Sequence, residues 1–223
     1  MRPAALVVMA KAPSPGSVKT RLCPPMTPDS AAGLYRAFLL DVLERSGAVA
    51  DVERYLFVDP PASRRWFQAV APGYRVEVQS GPTLGRRLVD VFQRLFAAGH
   101  ERVVVRNSDS PDLPAERITE AVSGLADYDL VLGPDQGGGY YLVGLRTPQP
   151  ALFLEVPMSS EGTRAATLRA AANLGLAVHL LSPWLDVDRT EDLDVLRRRL
   201  ETPDAAADCP RTRRFLEGLS KEA

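Results

Sequence analysis

Cysteine and histidine are nearly missing from this chain, with two of each in 223 residues. Cys23 and Cys209 lie far apart and form no C-x-x-C, so neither a disulfide framework nor a structural zinc site is indicated. His100 and His179 stand alone and cannot build a histidine metal cluster. No run of about 18 apolar residues exists, which excludes a transmembrane helix. The opening Met1–Ala10 is too short for a signal h-region with a cleavage site, so a cytoplasmic protein is expected. An excess of one charge sign is missing too: 27 Lys and Arg face 28 Asp and Glu, for a net charge of −1. No global field therefore recruits nucleic acid or an anionic membrane, and neither is expected as a partner. The arginine clusters at 197–199 and 211–214 read as solvated faces. There is no internal repeat. No G-x-G-x-x-G follows the first strand, and Gly16 and Lys19 are too far apart for a Walker A loop.

What is present is an alternation of β-type and helical patterns over a length that suits one domain. Short β-branched or apolar runs predict strands at 4–9, 55–58, 74–79, 102–105, 128–132, 140–145 and 176–181. Between them, apolar residues at helical spacing predict helices. Thr27-Pro28 starts the first one. Others are expected at 63–70, from Leu84 to a stop at Gly99, at 114–124, at 161–174 with Ser159 or Ser160 as cap, and from a Thr190 cap to Arg199. This pattern predicts an α/β fold, a mostly parallel sheet with helices on both faces. One domain is expected over 1–200, with a small acceptor-side lobe between 145 and 177, followed by a polar tail over 201–223 carrying at most one short helix.

The chemistry concentrates where strands end, which is where open α/β sheets bind ligands. Val103-Val104-Val105 runs into Asn107-Ser108-Asp109-Ser110-Pro111-Asp112, a loop with two carboxylates. A hard cation such as Mg²⁺ takes one or two carboxylates plus substrate phosphates, so Asp109 is a candidate metal ligand; a plain turn is the alternative. The loop after the first strand carries Lys11, Gly16, Lys19 and Arg21, a composition suited to phosphate or to solvent. Gln79 ends another strand, and its amide can read a base edge or serve an ordinary turn. Asp135 to Gly139 is glycine-rich, fit for close backbone approach to a ligand or for a hinge. Asp186-Val187-Asp188 sets two carboxylates on one face of an extended segment.

Taken together, Met9-Ala10-Lys11-Ala12-Pro13, Lys19-Thr20-Arg21-Leu22, Ser108 through Pro114, Gly138 through Leu145, and Asp186-Val187-Asp188 with Thr190 through Leu193 form an ordered set. In that set the chain resembles the bacterial GT-A-like transferases known as arsenosugar-type or selenodomain-associated glycosyltransferases, over roughly residues 4 to 200. More distantly it is similar to the guanylyltransferases acting on molybdopterin or phospholactate, and to sugar-phosphate nucleotidylyltransferases. The resemblance implies a nucleotide-diphospho-sugar transferase fold (GT-A, Rossmann-like). It implies Mg²⁺ or Mn²⁺ held by Asp109 and Asp188, and catalysis supported by Lys19, Arg21 and Asp109. Nucleotide is expected at Lys11, Gly16, Lys19, Arg21 and Ser108, with Gln79 and Gly85 near the base. A small acceptor is expected at Asp112, Asp135, Gly138, Gly139 and Tyr140, with Asp112, Asp135 and Glu161 as candidate bases. Two positions depart from the family pattern: Gly137 stands where an Asp is usual, and Arg86 where a Glu is frequent.

The expected activity is a metal-dependent transfer from a nucleotide-activated donor. Glycosyl transfer from a nucleotide sugar ranks first, and nucleotidyl transfer from an NTP to a phosphorylated small molecule is the alternative. A nucleotide-binding protein without catalysis is the third reading, motivated by Gly137 and Arg86.

Overall fold

The computed structural model describes residues 3–202 and 208–222. Seven strands, β1 (Ala4–Lys11), β2 (Val52–Asp59), β3 (Arg75–Val78), β4 (Val103–Arg106), β5 (Leu130–Pro134), β6 (Tyr140–Leu145) and β7 (Val178–Leu180), form one sheet in the order β3-β2-β1-β4-β6-β5-β7. Parallel pairing joins β1 to β2 and β4, β2 to β3, and β5 to β7. Strand β6 alone runs antiparallel, to both β4 and β5. Its direction follows from the linker. Residues 135–139 are too few for a crossover, so β5 and β6 close as a hairpin. The expectation of a mostly parallel sheet holds.

Helices α1 (Pro28–Gly47), α2 (Arg64–Val70) and α4 (Ala115–Gly124) cover one face. Helices α3 (Leu84–Ala97), α5 (Ala151–Leu154) and α6 (Thr163–Asn173) cover the other. Strand β1 is buried on both sides: Ala5 and Val7 pack toward α3, and Leu6 and Val8 toward the opposite helices. That is why Ala4 to Met9 reads as a continuous apolar run instead of an alternation. Thr27 caps α1 by accepting from the Ser30 N–H at 3.2 Å. Helix α7 (Thr190–Arg199) starts one residue earlier than expected, with Arg189 at the cap; Asp192 reaches back to accept from the Asp188 and Arg189 N–H groups. Thr190 is thus the first helical residue.

Within segment 145–177, Leu152, Phe153 and Ala171 belong to the same apolar cluster as β1, β4 and α3. Gly85 permits this packing, because a Cβ there would overlap the Phe153 carbonyl. Gly85→Ala is accordingly expected to destabilise the protein by about 1–3 kcal/mol through overpacking, read as a lowered thermal midpoint. The C-terminal segment carries a 13-residue helix, α8 (Pro210–Glu222). Phe215, Leu216 and Leu219 join a cluster with Leu34 and Phe38 of α1 and Leu193 and Leu196 of α7. Buried Asp41 fixes the start of α8 by accepting from the Arg211 and Thr212 N–H groups.

Candidate functional site

From β1 the chain works outward to β2 and β3, then returns to β4 on the other side of β1. Loops after β1 and β4 therefore diverge at their carboxyl ends and leave a crevice, the switch point where such sheets bind ligands. A cleft of about 1260 Å³ opens there.

The β1 loop enters it as a built structure. Val18 packs against Ala32 and Tyr35, and Leu22 is buried against α1 and Val187. Between these anchors Lys19 takes a left-handed backbone (φ 48°) at the head of a 3-10 turn, Thr20–Leu22. Its ammonium points inward with only 3% of the side chain exposed. It forms an ion pair with Asp109, donates to the Val187 carbonyl at 2.5 Å, and lies 3.3 Å from Asp188 Oδ1. Arg21 closes on the outer oxygen of Asp188 at 2.8 Å. The Val187 N–H donates to the Asp109 carbonyl at 3.1 Å, so the two acidic segments are also joined through backbone. Asp109 and Asp188, 79 positions apart in the chain, thus share one cation.

A third carboxylate stands behind them. Asp186 Oδ1 is buried and has no hydrogen-bond partner among the described residues. Burial, then the charge of Asp109, pushes the Asp186 carboxyl well above its ordinary range, while Lys19 pulls the other way. Burial alone lowers an ammonium, but Asp109, Asp186 and Asp188 together outweigh it and hold Lys19 above its usual value. The sequence pattern assigns Asp188 to the site but gives Asp186 no role. The signal was its i, i+2 spacing from Asp188 across a Val that is fully buried.

The β4 loop is held from behind. Tyr35 shares a hydrogen bond with Ser108 Oγ at 2.8 Å and accepts from the Lys11 N–H at 3.1 Å, tying the two loops together. Burial, then Asp109, raises the Tyr35 phenol to about 12. Arg106, only 1% exposed, donates to Ser46 Oγ and to the carbonyls of Asn107 and Ser110 at 3.2, 3.1 and 2.7 Å. Burial lowers its guanidinium to about 10.

Of the other expected residues, Lys11, Ser108, Asp135, Gly139, Tyr140 and Glu161 line the cleft. Asp135 sits in the β5–β6 turn and accepts from the Gly139 N–H at 2.8 Å; burial raises its carboxyl. Gly138 packs against the Glu161 backbone in a left-handed conformation (φ +87°). Gly137 lines the cleft, and a Cβ there would stand 3.5 Å from Asp135 Oδ1, so the Asp135 carboxylate occupies the neighbourhood of the missing side chain. Arg86, Gly16 and Gly85 lie outside the lining. Gln79 lines it, but its amide nitrogen donates to the Ala10 and Phe57 carbonyls, both at 2.9 Å, and its oxygen accepts from Arg87 at 3.1 Å. Both hydrogens of this amide are spent inside the fold, so Gln79 donates to a base edge only by giving up one of these bonds. Asp112 is also directed elsewhere: it is buried, accepting from Trp184 Nε1 and from Arg199, each at 3.0 Å. It braces α7 and lies outside the cleft lining.

Among the described residues no three His, Cys, Asp or Glu side chains are arranged to hold a metal by themselves. No helix among them is long and apolar enough to cross a membrane.

A family model for an uncharacterized protein conserved in bacteria (DUF2064) matches residues 42–160, more than half of the chain. The crystal structure of a candidate nucleotide-diphospho-sugar transferase from Desulfovibrio desulfuricans G20 superposes with a TM-score of 0.92 and 31% identity, over 99% of this chain and 96% of that one. The 2-phospho-L-lactate guanylyltransferase of Methanothermobacter thermautotrophicus is 26% identical over 179 residues, covering 78% of this chain and 76% of that protein. The phosphoenolpyruvate guanylyltransferase of Chloroflexus aggregans is 34% identical over 114 residues, covering 49% of this chain and 54% of that protein.

Proposed function

Because the chain belongs to the DUF2064 family and has a nucleotidyltransferase-like fold, we propose that it transfers a nucleotidyl group from an NTP to a phosphorylated small molecule, releasing pyrophosphate. This reverses the order expected from the sequence, where glycosyl transfer came first. One observation carries it: the Lys19–Arg21 loop is folded against Asp109, Asp186 and Asp188 at the switch point. Two curated relatives named as guanylyltransferases support it.

In the proposed reaction an acceptor phosphate oxygen bonds to the α-phosphorus of the NTP. The bond from that phosphorus to the bridging oxygen breaks, and pyrophosphate leaves with the electron pair. An ionised phosphate needs no general base, whereas a sugar-acceptor hydroxyl does. Asp135, a buried carboxylate assigned to the acceptor side, is already engaged with the Gly139 N–H. Lys19 and Arg21 meet the developing negative charge, and Lys11 stands at the cleft edge. Three carboxylates beside one buried ammonium repel a triphosphate, so donor binding calls for further positive charge. The orphaned oxygen of Asp186 fits that demand. Asp109 and Asp188 would hold a Mg²⁺ or Mn²⁺ ion, with nucleotide phosphates completing its coordination. When bound, the ion supplies charge neutralisation at the leaving group. Asp135, Gly139, Tyr140 and Glu161 form the acceptor side.

The test is incubation with each NTP, Mg²⁺ and a panel of phosphorylated hydroxy acids. Pyrophosphate is expected, with a nucleotidylated acceptor. Release of NDP from nucleotide sugars, with no pyrophosphate from NTPs, would restore the glycosyl reading; neither product would leave a nucleotide binder without catalysis.

A further inference from the structure

The ammonium of Lys19 occupies the space between the very oxygens assigned to a metal ion. It is nearly sealed from solvent, touches Asp109, Asp188 and the Val187 carbonyl, and has Asp186 behind it. A cation at bonding distance from Asp109 Oδ1 would press directly on this ammonium, and two cations do not share so small a space. We infer that Lys19 is a displaceable internal counter-cation: it closes the acidic pair, and a divalent ion enters only as Lys19 withdraws.

Geometry gives it somewhere to go. The lysine side chain is a flexible stem with a point charge, the cleft is open beside Thr20 and Arg21, and triphosphate oxygens there can replace the lost carboxylates. Metal and nucleotide then load together, because each supplies the charge that the other's arrival leaves unbalanced. Arg21 contacts only the outer oxygen of Asp188 and does not obstruct the exchange. The inference rests on the metal site proposed above.

The experiment follows free Mn²⁺ by electron paramagnetic resonance without nucleotide. Wild-type protein is expected to bind it weakly. Lys19→Met is expected to bind it at least tenfold more tightly, and adding Asp109→Asn to remove the gain. Equal or weaker binding by Lys19→Met overturns the inference; Lys19→Gln is a second variant should the first fail to fold. A readout in wild-type protein stands apart from both. Lys11 and Lys19 are two of only three lysines in the chain. Acetic anhydride labelling of Lys19, normalised to Lys11, is expected to rise at least threefold in saturating Mn²⁺, and unchanged labelling overturns the proposal whatever the variants do. Mn²⁺ uptake with an NTP that is unaffected by Asp109→Asn, or no uptake at all, removes the metal site itself. Uptake with an NTP that needs Asp109, together with an unchanged Lys19→Met, removes only the role given to Lys19.

Discussion

Asp109→Asn is expected to lower the rate of pyrophosphate release by about 10²-fold or more, the ~3 kcal/mol that loss of one preorganised electrostatic group costs. The substitution keeps the shape of the side chain and removes the charge. The loop should stay in place, since Ser108 remains bonded to Tyr35 and the Asp109 carbonyl remains bonded to the Val187 N–H. Lys19 keeps Asp188 and the Val187 carbonyl as partners. The loss should therefore fall on turnover, with far-UV circular dichroism unchanged. A variant with near wild-type turnover would show that Asp109 does not touch the reaction, and the proposed site would fall with it.

The second large effect concerns Arg106, whose buried guanidinium is bound to Ser46, Asn107 and Ser110 beneath the β4 loop. Arg106→Met is expected to destabilise the fold by about 3 kcal/mol. Three buried or half-buried acceptors lose their donors, at roughly 1–3 kcal/mol each, while removal of a buried cation offsets part of that cost. For a chain of this size the thermal midpoint should drop by about 10 °C. Arg106→Lys should not restore it. The planar fork spans Ser46, Asn107 and Ser110 at once, and a single ammonium cannot. Full rescue by Lys would mean that charge matters here and the fork does not. The same variants should slow turnover, because the carbonyls of Asn107 and Ser110 flank Asp109 in the chain.

How far the site was legible before folding varies by residue. Asp109 announced itself by standing just past a β-branched run. Its pairing with Asp188 came from the resemblance, since nothing local in either segment names a partner 79 positions away. Asp112 shows the limit: it shares a loop and a chemistry with Asp109, yet a Trp184 indole and Arg199 hold it outside the cleft lining. The composition of a loop does not say which way its side chains face. Lys19 read as well as a solvated cation as it did a phosphate ligand. Only burial of Val18 and Leu22 on either side draws it inward. The reversed direction of β6 could have been inferred from the five residues that precede it. The contribution of α8 is harder to read, because Phe215, Leu216 and Leu219 follow directly on an arginine cluster that suggests an exposed face.

Gln79 has a practical consequence. Its one amide ties the ends of β1 and β2 to Arg87 of α3, and Arg87 in turn holds Asp59. Randomising position 79 to recode nucleotide preference would loosen the junction of three elements before it altered which donor is accepted. A library meant to change selectivity belongs instead on the rim, at Lys11, Pro82 and Leu84, where replacements can be sampled without unpicking the floor beneath them.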